Sequence, residues 1–187
     1  MSPRQRRTDR MEDALAQWAY RGSRRPAWAV EPAAGQESVW DYPRPPRLET
    51  DSRSVRVVHG DVIVAESKRA VRVLETASPP TFYLPPTDVR FDLLTPAPGA
   101  SYCEWKGRAG YWSLRCGHDL ITNVAWSYEH PHPEFEPIRG YLSFYPSRVQ
   151  CYVGGQRARP QPGEFYGGWV TSDIVGPFKG EPGTNGW

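Results

Sequence analysis

The sequence is poor in cysteine, and its three cysteines are widely spaced. Cys103, Cys116 and Cys151 form no C-x-x-C pair, which argues against a zinc site of the usual spacing and against a disulfide framework. A sparse, odd number of cysteines is typical of proteins in a reducing compartment. We therefore expect a cytoplasmic protein.

The chain also lacks long apolar runs and a strong charge of one sign. No apolar stretch approaches the roughly 20 residues that a membrane helix needs, and the N-terminus has no apolar signal segment, so we expect no membrane association. The formal net charge is +2, which disfavours nucleic-acid binding. Residues 1–25 are the exception, with seven arginines against three acidic residues. A solvated leader is the simpler interpretation, and an arm that binds nucleic acid is the alternative.

Recognisable catalytic motifs are missing too. The sequence contains no G-x-x-x-x-G-K-[ST], no H-E-x-x-H and no G-x-S-x-G, so neither a phosphate-binding loop nor a common hydrolase signature is present. Any function must be inferred from individual side chains and their positions.

Proline, glycine and aromatic residues are abundant: 20 Pro, 17 Gly, 8 Trp, 10 Tyr and 6 Phe. So many Pro and Gly favour short strands joined by turns over long helices. We interpret residues 1–53 as an Arg/Pro-rich leader with a short helix over 9–20, residues 54–170 as a β domain, and residues 171–187 as a Gly/Pro-rich tail.

Turn signals inside alternating apolar stretches predict three hairpins, at 54–67, 111–126 and 148–160. Strand-like stretches at 70–75 and 140–146 lie between them. The sequence therefore predicts an all-β fold: a small antiparallel β domain with a short N-terminal helix and extended tails.

Glu75 is the first candidate for a catalytic residue. In "AVRVLE" (70–75), strand alternation places Val71, Val73 and Glu75 on one face. If the valines point inward, so does the carboxylate, and burial of a carboxylate is costly unless it is paired. The alternative is that Glu75 ends the strand and meets solvent or Arg69.

The stretch "YCEWKG" (102–107) supplies the second candidate, Cys103. A thiol facing a pocket beside the Lys106 ammonium would be activated as a nucleophile, whereas most cysteines are inert packing residues. We expect a strand that runs into a turn at the rim of a pocket, with Lys106 presented to an anionic group.

Aromatic side chains supply the rest of the predicted pocket. Concave sites lined by rings and a few polar groups are typical of ligand pockets, and a core rich in Tyr and Trp is the alternative. The predicted ligand-binding residues, besides Lys106, are Tyr83, Tyr111, Trp126, Tyr128 and Tyr141.

The stretch "EHPHPEFEP" (129–137) places His130, His132 and Glu134 at alternate positions, a spacing that suits metal ligands. A firmly held metal needs a third or fourth protein ligand with supporting partners, and none is evident nearby. We interpret the stretch as a solvated Pro-rich loop and predict no metal.

Three stretches carry a family resemblance: "RVLETASPPTFYLPPTDV" (72–89), "YCEWKGRAGYW" (102–112) and "NVAWSYEHPHPEFEPIRGYLSFYP" (123–146). They contain, in order, a strand ending in Glu, a Tyr-Leu-Pro-Pro stretch, a Cys-x-x-Lys-Gly box, a Tyr-Trp pair, an Ala-Trp-x-Tyr box and a Gly-Tyr-x-x-Phe strand. In this order they resemble domain-of-unknown-function family 427, which is also called a nucleotidyltransferase-like domain.

The resemblance covers about residues 54–153 and implies a β-tent-like architecture of two small antiparallel sheets. Several β-tent relatives bind zinc through paired C-x-x-C boxes, which this chain lacks, so we expect no cofactor. Nucleotidyl transfer uses carboxylates that hold Mg²⁺, and no acidic residues here are spaced as such a pair.

Three functional hypotheses follow. The first is an aromatic-lined pocket that binds a small, anionic or nucleotide-like ligand. The second is a transferase or hydrolase acting on a nucleotide-like substrate, with Glu75 as general base. The third is a non-catalytic interaction scaffold in which the leader docks to a partner.

Overall fold

The computed structural model describes residues 3–163 and 165–187, and most of its regular structure is β. The helix α1 spans Pro3–Ala16. Within the described ranges the strands are β1 Glu37–Ser38, β2 Arg47–Asp51, β3 Val55–His59, β4 Val62–Ser67, β5 Ala70–Glu75, β6 Ser78–Tyr83, β7 Leu94–Cys103, β8 Gly107–Cys116, β9 Asp119–Ser127, β10 Leu142–Phe144, β11 Gln150–Val153, β12 Gln156–Arg157, β13 Arg159–Pro160, β14 Trp169–Val170 and β15 Ile174–Val175. Short 3-10 helices span Val39–Asp41, Pro86–Asp88, Phe91–Leu93 and Pro133–Ile138.

Antiparallel sheets build the domain. Two have four strands, in the orders β10-β9-β8-β7 and β12-β11-β3-β4, and one has three, in the order β2-β5-β6. Reciprocal backbone hydrogen bonds between Leu84 and Leu142, of 2.8 and 3.0 Å, join the three-stranded sheet to the first four-stranded sheet. The predicted all-β antiparallel fold is confirmed, and the β-tent arrangement stays a prediction.

The three predicted hairpins are confirmed as β3–β4, β8–β9 and β11–β12. Their turns contain Gly60, Gly117 and the pair Gly154-Gly155, all with positive φ between 58° and 83°. Glycine adopts this region without the steric cost that a Cβ adds. The turn signals in the sequence therefore located these strand pairs correctly.

The N-terminal helix exists, but the prediction of residues 9–20 was wrong at both ends. The helix begins earlier, because proline is favoured in the first helical turn, and Asp9 lies inside it instead of capping it. It also ends earlier, since the chain turns onto the C-terminal segment, where the Ala19 amide donates to the Gly186 carbonyl over 3.1 Å. In the described part of the chain, no helix has the length and apolar character needed to cross a bilayer.

The central core lies between the sheets and includes Val57, Phe82, Leu114, Phe144 and Trp169. A second cluster of buried side chains lies to one side and brings together residues of β5, β6, β8, β9 and the N-terminal segment. Its members include Val73, Tyr83, Trp105, Trp126, Tyr128, Phe135 and Ile138, with Leu15 and Trp18 packed against them.

The two ends of the chain pack together on the other face of β5. Trp40 is fully buried, and its indole donates to the Pro177 carbonyl over 3.1 Å. Its ring lies 5.2 Å from that of Trp187, which stacks on Trp28. Parts of the segments predicted as leader and tail are therefore integral to the packing of the domain.

Candidate functional site

A cavity of about 240 Å³ opens beside the second cluster. Its walls come from β5, β6, the β7–β8 turn, β9 and the C-terminal segment 161–179. Tyr102 and Phe165 line it and are each 66% exposed, so they mark its mouth. Elements far apart in sequence thus meet around one concave space.

Seven of the eight residues proposed from the sequence line this cavity: Glu75, Tyr83, Cys103, Lys106, Tyr111, Trp126 and Tyr128. The eighth, Tyr141, packs against the neighbouring cluster instead, and Tyr145 lines the cavity. Tyr141 lies in the turn before β10, where its amide bonds the Ile138 carbonyl, so strand alternation does not set its direction.

Sequence reasoning did not assign several further polar or aromatic lining residues to the site, among them Trp18, Glu104, Tyr145, Gln161, Tyr166 and Lys179. Trp18, Gln161, Tyr166 and Lys179 belong to the terminal segments. An isolated lysine in a Gly/Pro-rich stretch gives no local signal of burial, so only the folded chain identifies it.

Aromatic rings form one wall of the cavity. The Trp126 indole donates to the Tyr83 hydroxyl over 2.9 Å, and the ring of Tyr145 lies 4.5 Å from that of Trp126. Burial raises the pKa of Tyr83, so its hydroxyl stays protonated. Gly167 permits the close approach of the C-terminal segment, because a Cβ there would lie 2.2 Å from Trp126 Cη2. The wall is closely packed and largely aromatic.

Lys106 reaches the cavity from the β7–β8 turn and is only 8% exposed. Gly107 follows it with φ +97°, a conformation that suits glycine. Burial by itself lowers the pKa of Lys106, but the neighbouring Cys103, Tyr83 and Glu75 side chains outweigh it and raise that pKa. Lys106 therefore carries a positive charge at neutral pH.

Lys179 is the second buried amine, at 3% exposed. Its Nζ lies 3.4 Å from the Trp18 ring centroid and 5.3 Å from that of Tyr166. Burial lowers the pKa of Lys179 to about 8; Glu75 and Glu104 oppose this shift and the Arg44 charge adds to it. The two lysines of the cavity therefore differ in proton affinity.

Glu75 is held by a buried cation. The Arg44 side chain is fully buried, and its Nε and Nη2 each lie 3.2 Å from Glu75 Oε1. The Trp105 indole donates to the same oxygen over 3.3 Å. Arg44 also donates to the Thr76 carbonyl and stacks over the Trp18 ring at 4.5 Å. Glu75 lies on the cavity-facing side of β5, as alternation predicts, and neutralises Arg44.

The N-terminal segment docks on the "YCEWKG" stretch. Trp18 donates its indole hydrogen to Glu104 Oε1 over 3.0 Å, and Arg10 donates to the Glu104 carbonyl over 2.7 Å. Trp105 turns inward and is almost fully buried. This stretch is therefore both the turn that presents Lys106 and the attachment point of the N-terminal segment.

The stretch 129–137 packs more closely than a solvated loop. Glu134 pairs with Arg7 and Arg10 of α1, at 2.6 and 3.2 Å, and Phe135 is buried. His132 Nε2 lies 3.1 Å from the Tyr102 hydroxyl. Among residues 3–163 and 165–187, no three His, Cys, Asp or Glu side chains are grouped as for a metal ion.

A comparison with protein families finds a match over more than half of the chain. The family model described as "Domain of unknown function (DUF427)" matches residues 47–155. No curated protein matches the chain. The matched range contains β2 to β11 and most of the cavity, whereas Trp18, Arg44, Tyr166 and Lys179 lie outside it.

Proposed function

The chain belongs to domain of unknown function family 427, and from this premise we propose that its cavity binds a small anionic ligand with a planar or apolar part. The observation that carries the proposal is where the few lysines of the chain lie. The chain has three lysines against 20 arginines, and two of the three, Lys106 and Lys179, are buried in the same cavity. The third, Lys68, is exposed.

The charge balance of the cavity supports an anion. Lys106, Lys179 and the adjoining Arg44 are opposed by two carboxylates, those of Glu75 and Glu104. Lys106 and Lys179 form no ion pair with the carboxylates of the described residues. A buried cation without a paired anion is costly. An anionic ligand group beside these amines would offset that cost.

The size and lining of the cavity indicate the rest of the ligand. Pockets for drug-sized ligands enclose roughly 300–1,000 Å³, so 240 Å³ suits a smaller molecule. The rings of Tyr83, Trp126 and Tyr145 offer a surface for a flat or apolar group, with edge and face contacts of the kind that aromatic groups prefer. A small aromatic or unsaturated acid fits both features, and a compact nucleotide fragment is a further member of the class.

Catalysis on a nucleotide-like substrate is a second candidate. The presence of Cys103 and Lys106 in the lining of one cavity favours it, because a nucleophile and a cation would both face a bound substrate. As a general base, Glu75 would first have to release Arg44. The acidic residues of the described chain do not provide the clustered ligands that Mg²⁺ prefers, so we derive no step through a metal.

Thermal unfolding of the full chain with benzoate, phenyl phosphate, inorganic phosphate and neutral benzamide tests the binding proposal. A ligand at a hundredfold excess over its Kd stabilises the folded state by about 2.7 kcal/mol. We expect benzoate or phenyl phosphate to raise Tm more than phosphate, and benzamide to raise it least.

The matched variants for this measurement are Lys106→Met and Lys68→Met. The first removes a buried charge at the cavity with little change of volume, and we expect it to abolish the shift. The second removes an exposed charge outside the cavity lining and is expected to leave the shift intact. Equal responses in both variants, or no response to any anion, would refute the binding proposal and favour an interaction scaffold.

A further inference from the structure

We propose that Lys179 is a reactive amine that forms an imine with an aldehyde or ketone bearing an acidic group. The inference rests on the proposed function, because the acidic group is what the cavity would hold. It assigns to Lys179 a covalent role that is separate from charge recognition.

The surroundings of the Lys179 amine are aromatic and enclosed. Its Nζ lies over the Trp18 ring at 3.4 Å and near the Tyr166 ring at 5.3 Å. Lys179 lines the cavity, so the amine adjoins the space that a ligand would fill. Desolvation and proximity to another cation make a lysine nucleophilic, and the burial of Lys179 near Arg44 supplies both conditions.

Burial favours the neutral form of Lys179, whereas the charged groups around it act in both directions. Glu75 and Glu104 are the facing carboxylates, Arg44 is the facing cation, and Lys106 lines the same cavity. Glu75 pairs with Arg44, and Glu104 accepts a hydrogen bond from the Trp18 indole. Both carboxylates therefore already have a partner other than Lys179. Burial lowers the pKa of Lys179 to about 8, so a minor fraction of the amine is unprotonated at pH 7 and about half of it at pH 8.

The backbone of Lys179 is fixed from both sides. Its amide donates to the Ala77 carbonyl over 2.8 Å, and its carbonyl accepts from Gln161 Nε2 over 2.8 Å. Gly180, which follows, donates to Thr184 Oγ1 over 2.8 Å. A fixed backbone and a buried side chain limit the positions that the amine can take, and a covalent step needs such positioning.

The two buried lysines differ in protonation, and this difference indicates the class of ligand. Lys106, whose pKa is raised, keeps its proton and suits a carboxylate or phosphate. Lys179 supplies the neutral amine for a carbonyl carbon. Oxo acids and acidic aromatic aldehydes carry both groups in one small molecule.

The reaction balances without any oxidant or reductant. The neutral Nζ attacks the carbonyl carbon and a C–N bond forms, while the carbonyl π electrons move to oxygen, which takes up a proton. The nitrogen loses a proton and the carbinolamine loses water, which leaves a C=N double bond. The products are the imine and one water molecule.

Reductive trapping in the native full-length chain tests the proposal. We would expose the protein to 4-carboxybenzaldehyde and sodium cyanoborohydride, which delivers hydride to the imine carbon and leaves a stable secondary amine. Peptide mass spectrometry then measures the adduct at each lysine. Lys68 is a control within the same molecule, and benzaldehyde is the matched probe without the acidic group.

At pH 8 we expect at least tenfold more adduct on Lys179 than on Lys68, with the ratio between pH 8 and pH 6 following a group of pKa about 8. Benzaldehyde should label Lys179 several-fold less. If Lys179 is labelled no faster than Lys68 while benzoate still raises Tm, the imine proposal is overturned and anion binding stands. If both aldehydes label Lys179 equally, the reactive amine stands and the anion site does not.

Discussion

Replacing Glu75 with glutamine is expected to lower the free energy of unfolding by about 3 kcal/mol at pH 7, because it leaves a buried cation without its partner. The Arg44 side chain is fully buried, whereas that of Glu75 retains 20% exposure, so we place the loss at the lower end for a broken buried pair. Glutamine keeps the shape of the side chain, which limits the change to charge. Urea denaturation measures the effect.

The control is Glu104→Gln, a second carboxylate of the same cavity. Glu104 Oε1 accepts from the Trp18 indole, and a glutamine oxygen can accept the same bond, so we expect a loss of about 1 kcal/mol or less. The comparison also separates two roles for Glu75. A general base with no structural partner would lose activity in Glu75→Gln and keep its stability, so an unchanged unfolding midpoint would contradict the pairing with Arg44.

Trp40→Ala is expected to destabilise the fold by about 4 kcal/mol, in the range for removal of a buried large aromatic side chain. Trp40 is fully buried, its indole bonds the Pro177 carbonyl, and its ring lies 4.7 Å from that of Trp28 and 5.2 Å from that of Trp187. The loss would show that both chain ends contribute to one cooperative unit.

Phe165→Ala is the matched control, since Phe165 is 66% exposed and surface substitutions usually change stability by less than about 0.5 kcal/mol. Trp40 packs with Ala77, whose carbonyl binds the Lys179 amide. We therefore also expect Trp40→Ala to weaken the response to benzoate. A variant as stable as Phe165→Ala would mean that the terminal segments are dispensable for folding.

Local patterns predicted the strands well, because turn chemistry and side-chain alternation act over a few residues. The glycine turns marked the hairpins, and alternation along "AVRVLE" placed Glu75 on the face of Val73 that lines the cavity. A strand has only two faces, so one buried valine indicates which of its neighbours share the buried face. Lys106 was predicted from another local pattern, a strand that runs into a turn.

The site residues that the sequence did not predict depend on contacts between segments that are distant in the chain. Arg44 meets Glu75 across 31 residues, and Trp18 meets Glu104 across 86. Nothing in the Gly/Pro-rich stretch around Lys179 indicates burial, since that burial is created by Trp18 and Tyr166. Tertiary packing of the terminal segments therefore buries Lys179, and a local sequence pattern does not predict that burial.

The central claim, that the two buried lysines and the aromatic wall receive a small anion, is tested most directly by a crystal structure of the chain grown with benzoate. We predict the carboxylate within about 2.7–3.2 Å of Lys106 Nζ or Lys179 Nζ, with the ring against Trp126 or Tyr145. Benzoate found only on the arginine-rich surface, with the cavity holding water alone, would contradict the claim.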